Sequence, residues 1–202
     1  MAGRKYELKK RAEKQGETRH RIAMATLELH NQLGPAATTI SAIAERAGVQ
    51  RLTVYRHFPD ELSLYNACGD LWMAAAPLPD PADWAVIADP EERLRAALAG
   101  FYPYYRAAAA PLTNILRDAE QTPVFVQAMQ PRFIDHLERV RQSLVDGWPD
   151  DPVLVLAAVG HALDFWAWRS LAHQGLDDAA IASLMLAMLR CGTVPPPPSP
   201  FV

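Results

Sequence analysis

The sequence predicts an all-α protein, an N-terminal three-helix helix-turn-helix head joined to a larger helical body. Three observations carry this. Apolar residues recur at steps of three and four through most of the 202 residues, and no stretch alternates as a half-buried strand does. A capping residue followed by proline marks a helix start at Asp89-Pro90, Thr122-Pro123 and Asp151-Pro152. Two short apolar-periodic segments flank Gly48, which suits two helices crossing at a tight turn.

The elements follow in order. Residues 1–16 form a charged arm, expected to fray. A first helix is predicted over Glu17–Leu33, with Ile22, Ala25, Leu29 and Leu33 as its buried face and Gly34-Pro35 as its stop. Thr39 should cap a helix over Ile40–Ala47, closed by Gly48. A third helix is predicted over Arg51–Phe58. Pro59 breaks it, and Asp60 can cap a fourth that reaches about Ala76. The segment from Pro77 to Trp84 reads as a loose proline-rich connector. Later helices should begin near residues 90, 123, 152 and 178, the last with Asp177 as its cap. Pro103, Pro111 and Pro131 should kink or break their helices. Residues 61–193 make up the body, and the proline-rich tail at 194–202 favours an extended form.

Charge is uneven along the chain. Residues 1–60 carry eleven Lys and Arg against six Asp and Glu, while the remainder carries nine against seventeen. A basic head on an acidic body suits a polyanionic partner for the head.

The informative stretch is 38–58. Ala44 allows close approach of two helices, Gly48 supplies the turn, and Val54 locks the second helix, with Ile43, Ala47, Val49 and Phe58 completing a small core. The residues left over on the third helix suit a major groove. Arginine forks onto guanine, leucine meets a thymine methyl, and Thr, Tyr and His donate to phosphate.

The run from Ile43 to Phe58, within a match over about 17–66, resembles the tetracycline-repressor (TetR) family of regulators. The resemblance implies a recognition helix at the third position and a body that binds a small ligand and dimerises. It assigns base reading to Gln50, Arg51, Leu52 and Arg56, and phosphate contact to Thr39, Thr53, Tyr55 and His57. One departure stands out. The family often has a phosphate-binding lysine where this chain has Glu61. The basic arm (Arg4, Lys5, Lys9, Lys10, Arg11 and Lys14) could compensate.

In the body, aromatic residues crowd around Pro103. Phe101, Tyr102, Tyr105, Asn114, Phe125, Met129, Phe133 and Trp166 are the candidate lining of an effector site for a small apolar or aromatic molecule. The segments 151–175 and 177–192 are strongly apolar helices and read as half of a four-helix homodimer interface. In the first, Leu156, Val159, Leu163 and Trp166 form one stripe, widened by Val155, Ala158 and Ala162.

The expected function is a ligand-responsive transcriptional repressor on a double-stranded DNA operator. The alternative is a DNA-binding or interaction module without an effector. An enzyme is not expected, since the six histidines are scattered and no metal-ligand or phosphate-loop spacing occurs. No cofactor or metal is implied, and Cys68 and Cys191 read as small hydrophobes. Without an apolar run near the length of a membrane span, or a signal-peptide core, a cytoplasmic protein is expected.

Overall fold

The computed structural model describes residues 2–192. The tail at 194–202 and the side chains of Arg4, Lys5 and Cys191 lie outside the described residues. No strand occurs among the described residues, and no helix there is long and apolar enough to cross a membrane. The helices are α1 (Ala2–Leu33), α2 (Ile40–Arg46), α3 (Arg51–His57), α4 (Glu61–Ala75), α5 (Pro90–Ala107), α6 (Ala109–Asp118), α7 (Pro123–Met129), α8 (Asp135–Val145), α9 (Pro152–Ala162), α10 (Phe165–Ala172) and α11 (Asp178–Gly192). They form two compact units. One comprises the described residues up to 77 together with 110–132, and the other comprises 78–109 and those from 133 onward.

The first unit contains α1–α4, nearly all of α6, and α7. Helix α1 starts well before Glu17, because residues 2–16 hold mostly Ala, Lys, Arg and Glu, which are strong helix formers, and no proline. Leu33 is 46% exposed, so the predicted face of α1 fails at its last step. The helix has ended there, and Gly34 turns the chain at φ +89°. The core of the head joins Ile22, Ala25 and Leu29 to Ile43, Ala44, Ala47, Val54, Phe58 and Leu64. Full burial of a side chain such as Val54 or Phe58 contributes about 1.5–3 kcal/mol. Helix α4 packs against both α1 and α7.

The second unit packs α5 against α8 and α11, with α9 and α10 alongside. Its helix starts follow local chemistry. Asp89, Asp151 and Asp164 accept from the amides of Glu92, Val153 and Ala167, and Asp177 accepts from Ala180. Asp178 accepts from Arg106 at 2.8 Å and from Trp168 at 3.0 Å, tying α5, α10 and α11 together.

Four expectations are corrected. The connector after Pro77 is packed, because Trp84 is 2% exposed against Phe101 and a short 3-10 turn at Pro81–Asp83 is capped by Asp80. Helix α5 continues through Pro103, so this proline does not break it, whereas α5 ends and α6 begins just before Pro111, which falls in the first turn of α6, where a missing N–H leaves no bond unmade. Only Pro131 lies in irregular helix, a π-type turn over Gln130–Ile134. Finally, 151–175 is not one helix. Asp164 caps a new one, so Leu163 and Trp166 leave the stripe that begins at Leu156.

Candidate nucleic-acid interface

The recognition elements are built by local signals. Thr39 Oγ1 accepts from the Ala42 amide at 3.2 Å and caps α2. At the other end Gly48, at φ +63°, permits two reversed bonds, Gly48 N–H to Glu45 O at 3.1 Å and Val49 N–H to Ala44 O at 2.9 Å. This closure satisfies the last carbonyls of α2 and turns the chain into α3. Arg46 secures α2 to α1 by donating to Glu28 at 2.9 Å and to Gln32 at 3.3 Å.

In α3, Val54 is 1% exposed and anchors the helix. Phe58, just past its end, is also buried. Gln50, Arg51, Leu52, Tyr55 and Arg56 are exposed, and Thr53 and His57 are half-buried. Leu52 is 76% exposed, an apolar side chain with no internal partner to explain it. Thr39 is exposed beside the cap it forms. The His57 imidazole is held below its ordinary pKa, first by desolvation and then by Arg56 and Arg19.

The start of α4 is more acidic than a phosphate-docking helix end would be. The Asp60 carboxylate accepts from the Ser63 amide at 2.6 Å, and exposed Glu61 stands beside it. One amide that could meet a phosphate is therefore taken by the cap.

The geometry of α2 and α3 coincides with a known pattern. Residues 22–68 match the family described as bacterial regulatory proteins, tetR family. The matched segment, which holds α2, α3 and the start of α4, is similar to the helix-turn-helix region of that family. The chain is 29% identical over 177 residues to the HTH-type transcriptional repressor KstR of Mycolicibacterium smegmatis, covering 80% of this chain and 78% of that one. A TetR-like transcriptional regulator from Rhodococcus sp. RHA1 superposes with a TM-score of 0.57 at 22% identity, over 87% of this chain and 94% of that one. A Clostridium perfringens putative fatty acid metabolism regulator superposes at 0.55 and 15% identity, over 87% and 100%. At these identities the structural likenesses establish the fold. The chain is a DNA-binding transcriptional regulator with an N-terminal helix-turn-helix similar to that of the tetR family.

The eight residues expected to line an effector site are divided between the two units. Phe101, Tyr102 and Tyr105 are fully buried in the second unit, and the two tyrosine hydroxyls donate to Ala162 O at 2.9 Å and Leu163 O at 2.6 Å. Their rings belong to a packed set with Phe165 and Trp168. Phe133 is half-buried in the same unit, and Trp166 is 41% exposed with Arg169 stacked on it. Asn114, Phe125 and Met129 belong to the first unit. Phe125 meets His30 and Tyr65 edge-on, with ring centroids 5.5 Å apart in each pair.

Asn114 is joined to the first helix. It donates to the carbonyls of Asn31 at 2.8 Å and Gln32 at 3.2 Å, at the end of α1. Its neighbours complete a clasp that the sequence reading missed. Arg117 donates to Leu33 O at 3.0 Å, and Asp118 accepts from the Ala36 amide at 3.1 Å and from Arg117 at 2.7 Å. Helix α6 thereby satisfies the free carbonyls at the end of α1 and holds the loop into α2.

Proposed function

We propose that this chain is a homodimeric repressor that leaves its operator when a small apolar or aromatic effector binds. The observation that carries the reading is the α6 clasp. An effector acts only through its differential affinity for two conformations, and α6 is bonded to the segment that leads into α2 and α3. Displacing α6 would break hydrogen bonds to Asn31, Gln32, Leu33 and Ala36 together. Helix α4 packs against α1 and α7, whereas α6 holds the head by hydrogen bonds.

Base reading is assigned to Gln50, Arg51, Leu52 and Arg56, and phosphate contact to Thr39, Thr53, Tyr55 and His57. Exposure of the first four and of Thr39 and Tyr55 supports this. The repressor reading rests on the kinship with the Mycolicibacterium protein. Dimerisation is assigned to α9 and α11, supported by exposed apolar side chains there, Leu154, Leu184 and Met188. Two copies would present two α3 helices to a near-palindromic site.

One observation favours the effector-free alternative. The rings of Phe101, Tyr102 and Tyr105 are packed and the two tyrosine hydroxyls are bonded, as in an ordinary core. The two readings part in one experiment. A duplex selected by the protein from random sequence is titrated with a library of apolar and aromatic compounds while fluorescence anisotropy and thermal melting are followed. The repressor reading expects a compound that raises the melting temperature and releases the duplex. A library that leaves both unchanged favours the effector-free module.

A further inference from the structure

Helix α3 has seven residues and one buried anchor, Val54. Its N-cap, Gln50, makes no side-chain capping bond. At its other end the last carbonyls have no partner further along the helix. The Phe58 amide serves Val54 O at 2.8 Å. The carbonyl of His57 is served from elsewhere, by Arg19 of α1, whose Nη1 donates to it at 2.6 Å. The same guanidinium lies 4.0 Å from the centroid of the Phe58 ring, within the range of a cation–π contact. One side chain thus grips the carbonyl that ends α3 and the ring that follows it, and it places positive charge at the negative end of the helix dipole.

We infer that Arg19 is a positioning residue for operator recognition. It sets the angle and depth at which α3 presents Arg51, Leu52 and Arg56, and does so without reading a base. The short helix explains why one contact matters. With Val54 its one buried residue and no N-terminal side-chain cap, α3 depends on its C-terminal end being held, which Arg19 does together with the buried ring of Phe58. Base-edge contacts demand angular precision, while phosphate contacts tolerate a tilt. Loss of Arg19 therefore acts on specificity. This inference rests on the assignment of α3 as the recognition helix.

The test compares the full-length protein with Arg19→Ala, Arg19→Lys, Arg51→Ala and Arg56→Ala on the selected duplex and on random DNA, across a salt series. Arg19→Ala should weaken binding to the selected duplex about tenfold, the order of a charged hydrogen bond with a ring contact. Binding to random DNA should stay within about twofold, and the salt slope should not change. Arg19→Lys keeps the charge but loses the planar fork, so it should recover only part of the loss. Two results overturn the inference. One is full affinity in Arg19→Ala. The other is equal loss on both DNAs with a slope reduced by about 0.9, the mark of a direct phosphate contact. If Arg19→Ala does not fold, Arg19→Lys is judged by the same criteria, and a lysine variant indistinguishable from wild type then overturns the inference. Arg51→Ala and Arg56→Ala separate the layers. If both keep full specificity, the recognition-helix assignment has failed. If either loses specificity while Arg19→Ala keeps it, only the positioning role has failed.

Discussion

The Asp118 carboxylate accepts a hydrogen bond from the amide of Ala36 at 3.1 Å, joining the end of α6 to the loop between α1 and α2. Asp118 is 5% exposed, and its acid group is held below the usual carboxylate range by the Arg117 guanidinium, with the Ala36 amide adding to the effect. Its stabilisation is present above the ordinary carboxylate pKa and is lost as pH falls through the lowered one. Asp118→Ala leaves the Ala36 amide unpaired and should cost about 2 kcal/mol in thermal or urea unfolding. Under the proposed mechanism it should also blunt effector release more than operator binding. A variant that releases DNA normally would remove the clasp from the mechanism.

Gly34 lies against the same carboxylate. Its φ of +89° is the left-handed region, and a Cβ there would collide with Asp118 and Arg117. Gly34→Ala should destabilise by about 2–3 kcal/mol, strain and clash combined. Urea denaturation measures it. An unstrained glycine-to-alanine change is stabilising, so a variant that loses less than about 1 kcal/mol would mean that the loop relaxes freely.

His30 is 1% exposed between Tyr65, Phe125 and Cys68, and its Nε2 has no partner. Burial lowers its pKa from 6.5 to about 4, opposed by Asp118. The unfolded chain takes up the proton first as pH falls, so stability drops between about 6.5 and 4. The full drop is about 3 kcal/mol, at about 1.4 kcal/mol per pKa unit. Chemical denaturation across this window should show the slope, and His30→Leu should flatten it. An equal slope in the variant would assign the acid loss elsewhere.

Leu184 and Met188 stand four residues apart on α11 and are 38% and 50% exposed. In the proposed dimer they meet the partner, so Leu184→Asp should give a folded monomer with weakened operator binding. Val155 is a poor site for this test because it is fully buried within its own chain, and a charge there would unfold the unit. Light scattering of the wild type at micromolar concentration checks the premise, and a monomer there would refute the dimer.

Arg51 and Arg56 are exposed on α3. Replacing either with alanine should cost about 1–3 kcal/mol of discrimination between the selected duplex and random DNA. Equal discrimination by both variants would move recognition off α3.

Wherever the cause was local, the sequence by itself determined the structure. Thr39, Asp60, Asp89, Asp151 and Asp177 accept from amides two or three residues onward, so the helix starts they mark are legible from adjacent residues. The helix-turn-helix core is legible for the same reason, because Ala44, Gly48 and Val54 meet within one short turn. What only the tertiary structure decided lies between residues far apart in the chain. Arg19 reaches 38 residues to His57, and Asn114, Arg117 and Asp118 reach 82–84 residues to the end of α1 and its loop. In sequence these are ordinary polar residues on helices, since periodicity reports which face is apolar and not which distant carbonyl a donor will find. The aromatic run at 101–105 shows the same limit from the other side. Apolar character predicts burial, but whether the rings line a cavity or fill one depends on α10, which supplies Phe165 and Trp168 to occupy the space.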